Sequence, residues 1–196
     1  CGQKNIVANF LRFHKVEFSD FNLHVAIDSL KGINSAGGLY NLKKEDMQID
    51  TLRFFMRQKE NKIRYFAGIR TRSLDPNQPK LKFYSALYGS LHNDSLTTNF
   101  VFRDNNDNVG AKIGLNTILR PQGLDFRFMP KATLLNRPFH FNDDNYISLH
   151  KNLEIRGYVE MKDSMNSGMR LYTSNDSTLL HDISAELFNI DLKAVT

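Results

Sequence analysis

The chain has 196 residues, a formal charge of +5, 41% hydrophobic residues, 15 phenylalanines and no tryptophan. That length suffices for one large domain or two small ones, with a buried core. The single cysteine, Cys1, excludes an intrachain disulfide and a thiolate zinc site, and the absence of Trp argues against a sugar-binding platform. No apolar run approaches the roughly 20 residues of a membrane helix.

Residues 4–14 fit a helical face through Ile6, Val7, Phe10 and Leu11, and also fit a strand. Residues 16–29 predict a strand with two unlike faces. Phe21, Leu23, Val25 and Ile27 alternate with Asn22, His24 and Asp28, so one face is apolar and the other wet. Gly32 to Gly38 predicts a turn or loop. A short strand at 39–42 and a long one at 46–57 follow, then a turn at Glu60-Asn61 and a strand over 62–72 carrying Ile63 and Ile69. Asp75 to Pro79, with two prolines, predicts a loop.

Leu81 and Phe83 open the next alternating run, and His92-Asn93-Asp94 turns it. Leu96, Thr98, Phe100 and Phe102 share a face, and Asp104 to Asn108 turns again. Ile113, Leu115 and Leu119 lead to the alternation of Leu124, Phe126 and Phe128 with Asp125 and Arg127. After a turn at Asn142–Asn145, Leu153, Ile155, Gly157, Val159 and Met161 alternate with polar partners. Asp163 to Gly168 turns, Met169, Leu171 and Thr173 share a face, and Asn175 to Ser177 turns. Residues 179–195 suit a helix or a strand, and their strand neighbours favour a strand. Short alternating runs separated by turn residues predict an all-β antiparallel sheet. There is no internal repeat and no clear linker, so one continuous sheet over 1–196 is the simplest domain organisation.

Chemistry-bearing constellations are absent. Asp104 to Asn108 is rich in oxygen ligands, but an EF-hand count from Asp104 puts Val109 at the glycine position and Leu115 at the glutamate position. Its Asn and Asp residues read as turn formers. The six histidines form no metal-binding spacing, and no nucleophile elbow or phosphate loop occurs. No catalytic residue, metal or cofactor is expected. Arg57, Lys59, Lys62, Arg64, Arg70 and Arg72 form the densest basic stretch. Arg64, Arg70 and Arg72 share parity, opposite to Ile63, Tyr65, Ala67 and Ile69. A solvated strand face accounts for them, and an anion, nucleic-acid or lipid-headgroup site is the lesser reading. The apolar stripes are open to two readings, the core of a closed sandwich or barrel, or a greasy trough for acyl chains.

The stretches from Gly123 to Leu149, Leu153 to Met161, Leu171 to Leu180 and Ile183 to Leu192 resemble the AsmA-like/TamB family of bacterial envelope proteins, in particular an internal part of its large Bacteroidetes members. The likeness lies in the order of a short β unit, a Pro-Phe pair with an Asn/Asp turn, and strands closing on Asn189-Ile190-Asp191-Leu192. Asp20 to Leu23 and Ile49 to Leu52 fit the same style. The resemblance implies an elongated, curved, taco-like β-groove with an apolar concave face. It implies a non-enzymatic conduit moving phospholipids across the periplasm, also linked to outer-membrane protein assembly. The anchor would lie in the inner membrane and an Omp85-type barrel in the outer membrane, both contacted by parts of the protein outside this chain. Residue 1 would then be a cut within a longer protein. The expected acyl-chain contacts are Phe21, Leu23, Val25, Ile27, Ile63, Ile69, Leu81, Phe83, Phe100, Phe102, Phe126, Phe128, Ile155 and Val159. Self-association through strand edges is a further expectation, and nucleic acid is not an expected partner. The alternative is a closed β-sandwich binding or adhesin-like module whose stripes are core. An enzyme acting on envelope polysaccharide is a third reading, disfavoured by the lack of Trp and of a carboxylate signature.

Overall fold

Alternating apolar and polar side chains, broken by Asn, Asp and Gly, fold as the period predicts. The computed structural model describes residues 17–28, 32–44, 47–73, 77, 82–174 and 182–189. Among them there is no helix. The strands are β1 (Asp20–Asp28), β2 (Gly32–Lys44), β3 (Met47–Lys59), β4 (Lys62–Ser73), β5 (Tyr84–His92), β6 (Ser95–Arg103) and β7 (Val109–Arg120). Then come β8 (Gly123–Phe128), β9 (Lys131–Leu134), β10 (Arg137–Phe141), β11 (Tyr146–His150), β12 (Ile155–Lys162), β13 (Gly168–Thr173) and β14 (Ile183–Phe188). All fourteen belong to one antiparallel sheet. The segment 4–14, the Asp75–Pro79 loop apart from Asn77, Leu81, and the turn at Asn175–Ser177 lie outside the described residues. Of the predicted terminal strand 179–195, residues 182–189 are described, and they contain β14.

The order is an up-and-down meander. β8 and β9 both pair with β7, through Leu115↔Phe128 and Ala111↔Leu134, so they are two halves of one strand interrupted at Met129-Pro130. β10 and β11 are likewise two halves interrupted at Asn142–Asn145, and both pair with β12. A tight turn at Leu135-Asn136, both with positive φ, joins these composite strands. That is the backbone a two-residue hairpin requires.

One expectation fails here. Gly32 to Gly38 is not a loop; it is the first half of β2, in register with β1 and β3. Gly37 in β2 and Gly68 in β4 are packing sites. A Cβ on Gly37 would stand 2.7 Å from the Phe54 ring, and one on Gly68 2.6 Å from the Phe66 ring. Each aromatic side chain lies over a glycine in the sheet, supplying contact that the missing side chain would have made.

The chain contacts divide the sheet into two compact units, residues 1–88 with 102–108, and residues 89–101 with 109–196. In the second unit Ala132, Phe141, Val159 and Met161 are buried, with Ile113, Phe128, Leu134, Phe139, Ile147 and Met169 packed against them. The Phe128 and Phe141 rings stack at 4.5 Å. In the first unit the one buried hydrophobic residue among those described is Ala86.

Candidate functional site

Register assigns the faces of the first unit. Phe21 lies opposite Leu39, Leu23 opposite Gly37, Val25 opposite Ser35 and Ile27 opposite Ile33. On the next strand Leu39 meets Leu52, Gly37 meets Phe54 and Ser35 meets Met56. Leu52 then meets Ile69, Phe54 meets Ala67, and Gln58 meets Ile63. Phe21, Leu23, Val25, Ile27, Ile63 and Ile69 therefore share one apolar face across β1–β4. Leu52, Phe54 and Met56 fill its middle. These three were not singled out from the sequence, although their own period-2 spacing carries the signal. Ile33 and Leu39 were hidden by the loop reading of the glycine-rich stretch and the brevity of the strand assigned after it.

The outer part of this face is open. Phe21, Leu23, Val25 and Ile27 are 48%, 55%, 56% and 79% exposed, and Met56 is exposed as well. Full burial of such a side chain contributes about 1.5–3 kcal/mol, so at half exposure roughly 1 kcal/mol per side chain remains for a covering group to supply. Among the described residues β1 pairs only with β2. Phe83 and Phe102 pack ring to ring at 5.7 Å, and Phe83 is fixed to β4 through the Thr71 N–H, which donates to its carbonyl at 2.9 Å. Leu81 lies outside the described residues.

The second unit has its own apolar face. Phe126 lies opposite Ile147, and Ile147 opposite Gly157, which shares its side of β12 with Ile155, Val159 and Met161. Phe128 shares the side of Phe126. The Thr97 hydroxyl donates to Asn116 Oδ1 at 3.1 Å, so both belong to the polar side and Phe100, of opposite parity, to the apolar side. Phe100 is exposed, whereas Val159 is 5% exposed and Phe128 packs on the cluster around it. Val159 and Phe128 thus work as core, unlike the β1 side chains.

On the polar side of this unit several charges are paired. Glu160 accepts from Lys162 Nζ at 2.9 Å and Arg170 at 2.6 Å, and Arg170 also meets Glu186 at 3.2 Å. The Lys162 and Arg170 hydrogen bonds hold the Glu160 carboxyl below its ordinary range. Asp125 is lowered likewise, first by the Ser148 hydroxyl at 2.7 Å and then by Arg120 at 3.1 Å. Tyr172 donates to Glu186 at 2.8 Å, and the neighbouring carboxylate raises its phenol.

The expected turn at Asp104–Asn108 is a turn: Asp104 Oδ1 accepts from the backbone N–H of Asn106 and of Asn108, each at 2.9 Å. The described residues hold no group of three or more His, Cys, Asp or Glu placed to bind a metal, and no helix long and apolar enough to cross a membrane. No protein-family model matches the chain, and neither does any curated protein or solved structure.

Proposed function

We propose that the chain is a segment of an envelope lipid-transfer conduit, in which the apolar face of β1–β4 carries the acyl chains of phospholipids. The observation that supports this most is the exposure of Phe21, Leu23, Val25 and Ile27 on one face of a sheet. A contiguous exposed apolar face is uncommon in a protein that covers its own core, and it marks a contact surface. Acyl chains suit it chemically: the face is mainly hydrocarbon, with Ser35, Gln58 and Tyr65 as its polar members, and each buried CH₂ contributes about 0.8 kcal/mol. The role is that of a conduit, not a catalyst. The periplasm, an inner-membrane anchor and an Omp85-type barrel belong to this reading through the family resemblance.

The test is a photocrosslinking amino acid at Leu23 in cells, followed by mass spectrometry of the adduct. Phospholipid adducts at Leu23, lost on Val25→Asp in the same chain, are expected. Protein-only adducts at Leu23 would sink the reading.

A second reading has one observation in its favour. The Ala132–Phe141–Val159–Met161 cluster uses apolar stripes as core, as a closed binding module does. It predicts that crosslinkers at both Leu23 and Phe100 yield no lipid.

A further inference from the structure

The reverse side of the β3–β4 hairpin is cationic. Arg53, Arg57 and Lys59 of β3 and Lys62, Arg64 and Arg70 of β4 project from the face opposite Leu52, Phe54 and Met56, and all six are exposed. Arg57 stands directly across from Arg64, and Lys59 from Lys62. Like charges opposite one another destabilise a strand pair. Yet none of the six makes an ion pair among the described residues. Between Thr51 and Arg70 the only acid is Glu60, in the turn. The contrast is with β12–β14, where Glu160, Arg170 and Glu186 alternate in sign across the strands. From Thr51, opposite Arg70, to Lys59 the row covers eight residue steps, about 26 Å at the rise of a strand. A row of this length meets several anionic groups at once.

We propose that the β3–β4 hairpin lies in the interface of an anionic phospholipid bilayer, with its apolar face toward the acyl chains and these six cations at the level of the phosphate headgroups. An amphipathic element with Lys and Arg on its polar face takes that position, and each basic side chain near an anionic leaflet adds to binding. The two faces of one hairpin match the two parts of one lipid. Nucleic acid fits less well. Unpaired bases need free aromatic faces, whereas the Phe55 and Phe66 rings stack on each other at 5.5 Å, Arg57 covers Phe55 at 5.5 Å, and Phe66 lies over Gly68. The inference rests on the acyl-contact reading for its apolar half.

The experiment is cosedimentation of the chain with vesicles of phosphatidylcholine alone or mixed with phosphatidylglycerol. Binding is expected to the mixed vesicles, to weaken with added salt, and to fall by about tenfold or more in Arg57→Glu/Arg64→Glu. Arg57→Lys/Arg64→Lys should bind as the parent does, and circular dichroism confirms the fold of each variant. Equal binding to both vesicles, or unchanged binding by the Glu variant, overturns the proposal. So does tighter binding to a single-stranded oligonucleotide than to the mixed vesicles at the same salt. Lipid adducts at Leu23 with no preference for anionic vesicles refute the headgroup role and leave the acyl role. An anionic preference without such adducts refutes the acyl role.

Discussion

Asn145 carries more of the fold than its residue type announces. It is 2% exposed, at the interruption between β10 and β11. Its side-chain oxygen accepts the Phe128 N–H at 2.6 Å, and its amide nitrogen donates to the carbonyls of Phe128 at 3.1 Å and Asn142 at 2.6 Å. The carboxamide stands where a strand backbone would, and it satisfies β8 as that strand breaks. Asn142 continues the ladder to β12, with its Oδ1 accepting the Glu160 N–H at 2.8 Å. From sequence this stretch reads as turn chemistry, because Asn prefers turns whether it is solvated or buried. Replacing Asn145 by Ala leaves the Phe128 N–H and carbonyl inside the sheet without that partner. At about 1–3 kcal/mol for each orphaned group, a loss of ~3 kcal/mol is expected in urea unfolding. Asp104→Ala, at an exposed turn, should lose about 1 kcal/mol or less, since water replaces its bonds.

At the scale of the element, β12–β14 are tied by charge on the side opposite the core. The Glu160 carboxyl is depressed by the Lys162 and Arg170 hydrogen bonds. Its contribution is therefore complete above the unfolded Glu value of about 4.3 and is lost as pH falls through the lower folded value. A plot of thermal midpoint against pH should drop more gently below pH ~4.3 in Glu160→Gln than in the parent, with the variant already lower near neutrality. Parallel acid limbs would remove Glu160 from the set of acid-labile groups. The alternation that sets these pairs was readable: Glu154, Arg156, Tyr158, Glu160 and Lys162 share a parity in the sequence, and the last four share a face in β12. Which acid meets which base was not, because partners depend on register across strands that the turns set. The same limit hid the strand at Gly32–Gly38. Glycine signals a turn unless a neighbour covers it, and Phe54, seventeen positions beyond Gly37, is that neighbour. The two interruptions that make composite strands from β8–β9 and β10–β11 left no periodic trace, since the alternation resumes on either side.

Across the whole molecule, the apolar stripes look alike in sequence but differ in what they do. Phe21, Leu23, Val25 and Ile27 are as regular as Ile155, Gly157, Val159 and Met161, yet the first set is open and the second holds a core. Burial is decided by packing across strands. β12 has neighbours on both sides, with Met161 opposite Phe141 and Met169, whereas among the described residues β1 has β2 alone. Stability should be distributed accordingly, because local opening is easiest where buried apolar contact is sparse. Amide hydrogen exchange should find the slowest exchange at Val159 and Met161 and the fastest strand exchange at Leu23 to Ile27. Val159→Arg is therefore a test of the core, with an expected loss of several kcal/mol from an unpaired charge placed inside it. Leu23→Asp is a test of surface contact, and it should alter stability by less than about 1 kcal/mol. If lipid is the natural cover, protection in β1 should rise when the chain is purified with phospholipid and return to the bare value in Leu23→Asp. Protection that stays at the bare value with lipid present would separate the open stripe from acyl binding, and it would leave Phe21 to Ile27 as a surface for another partner.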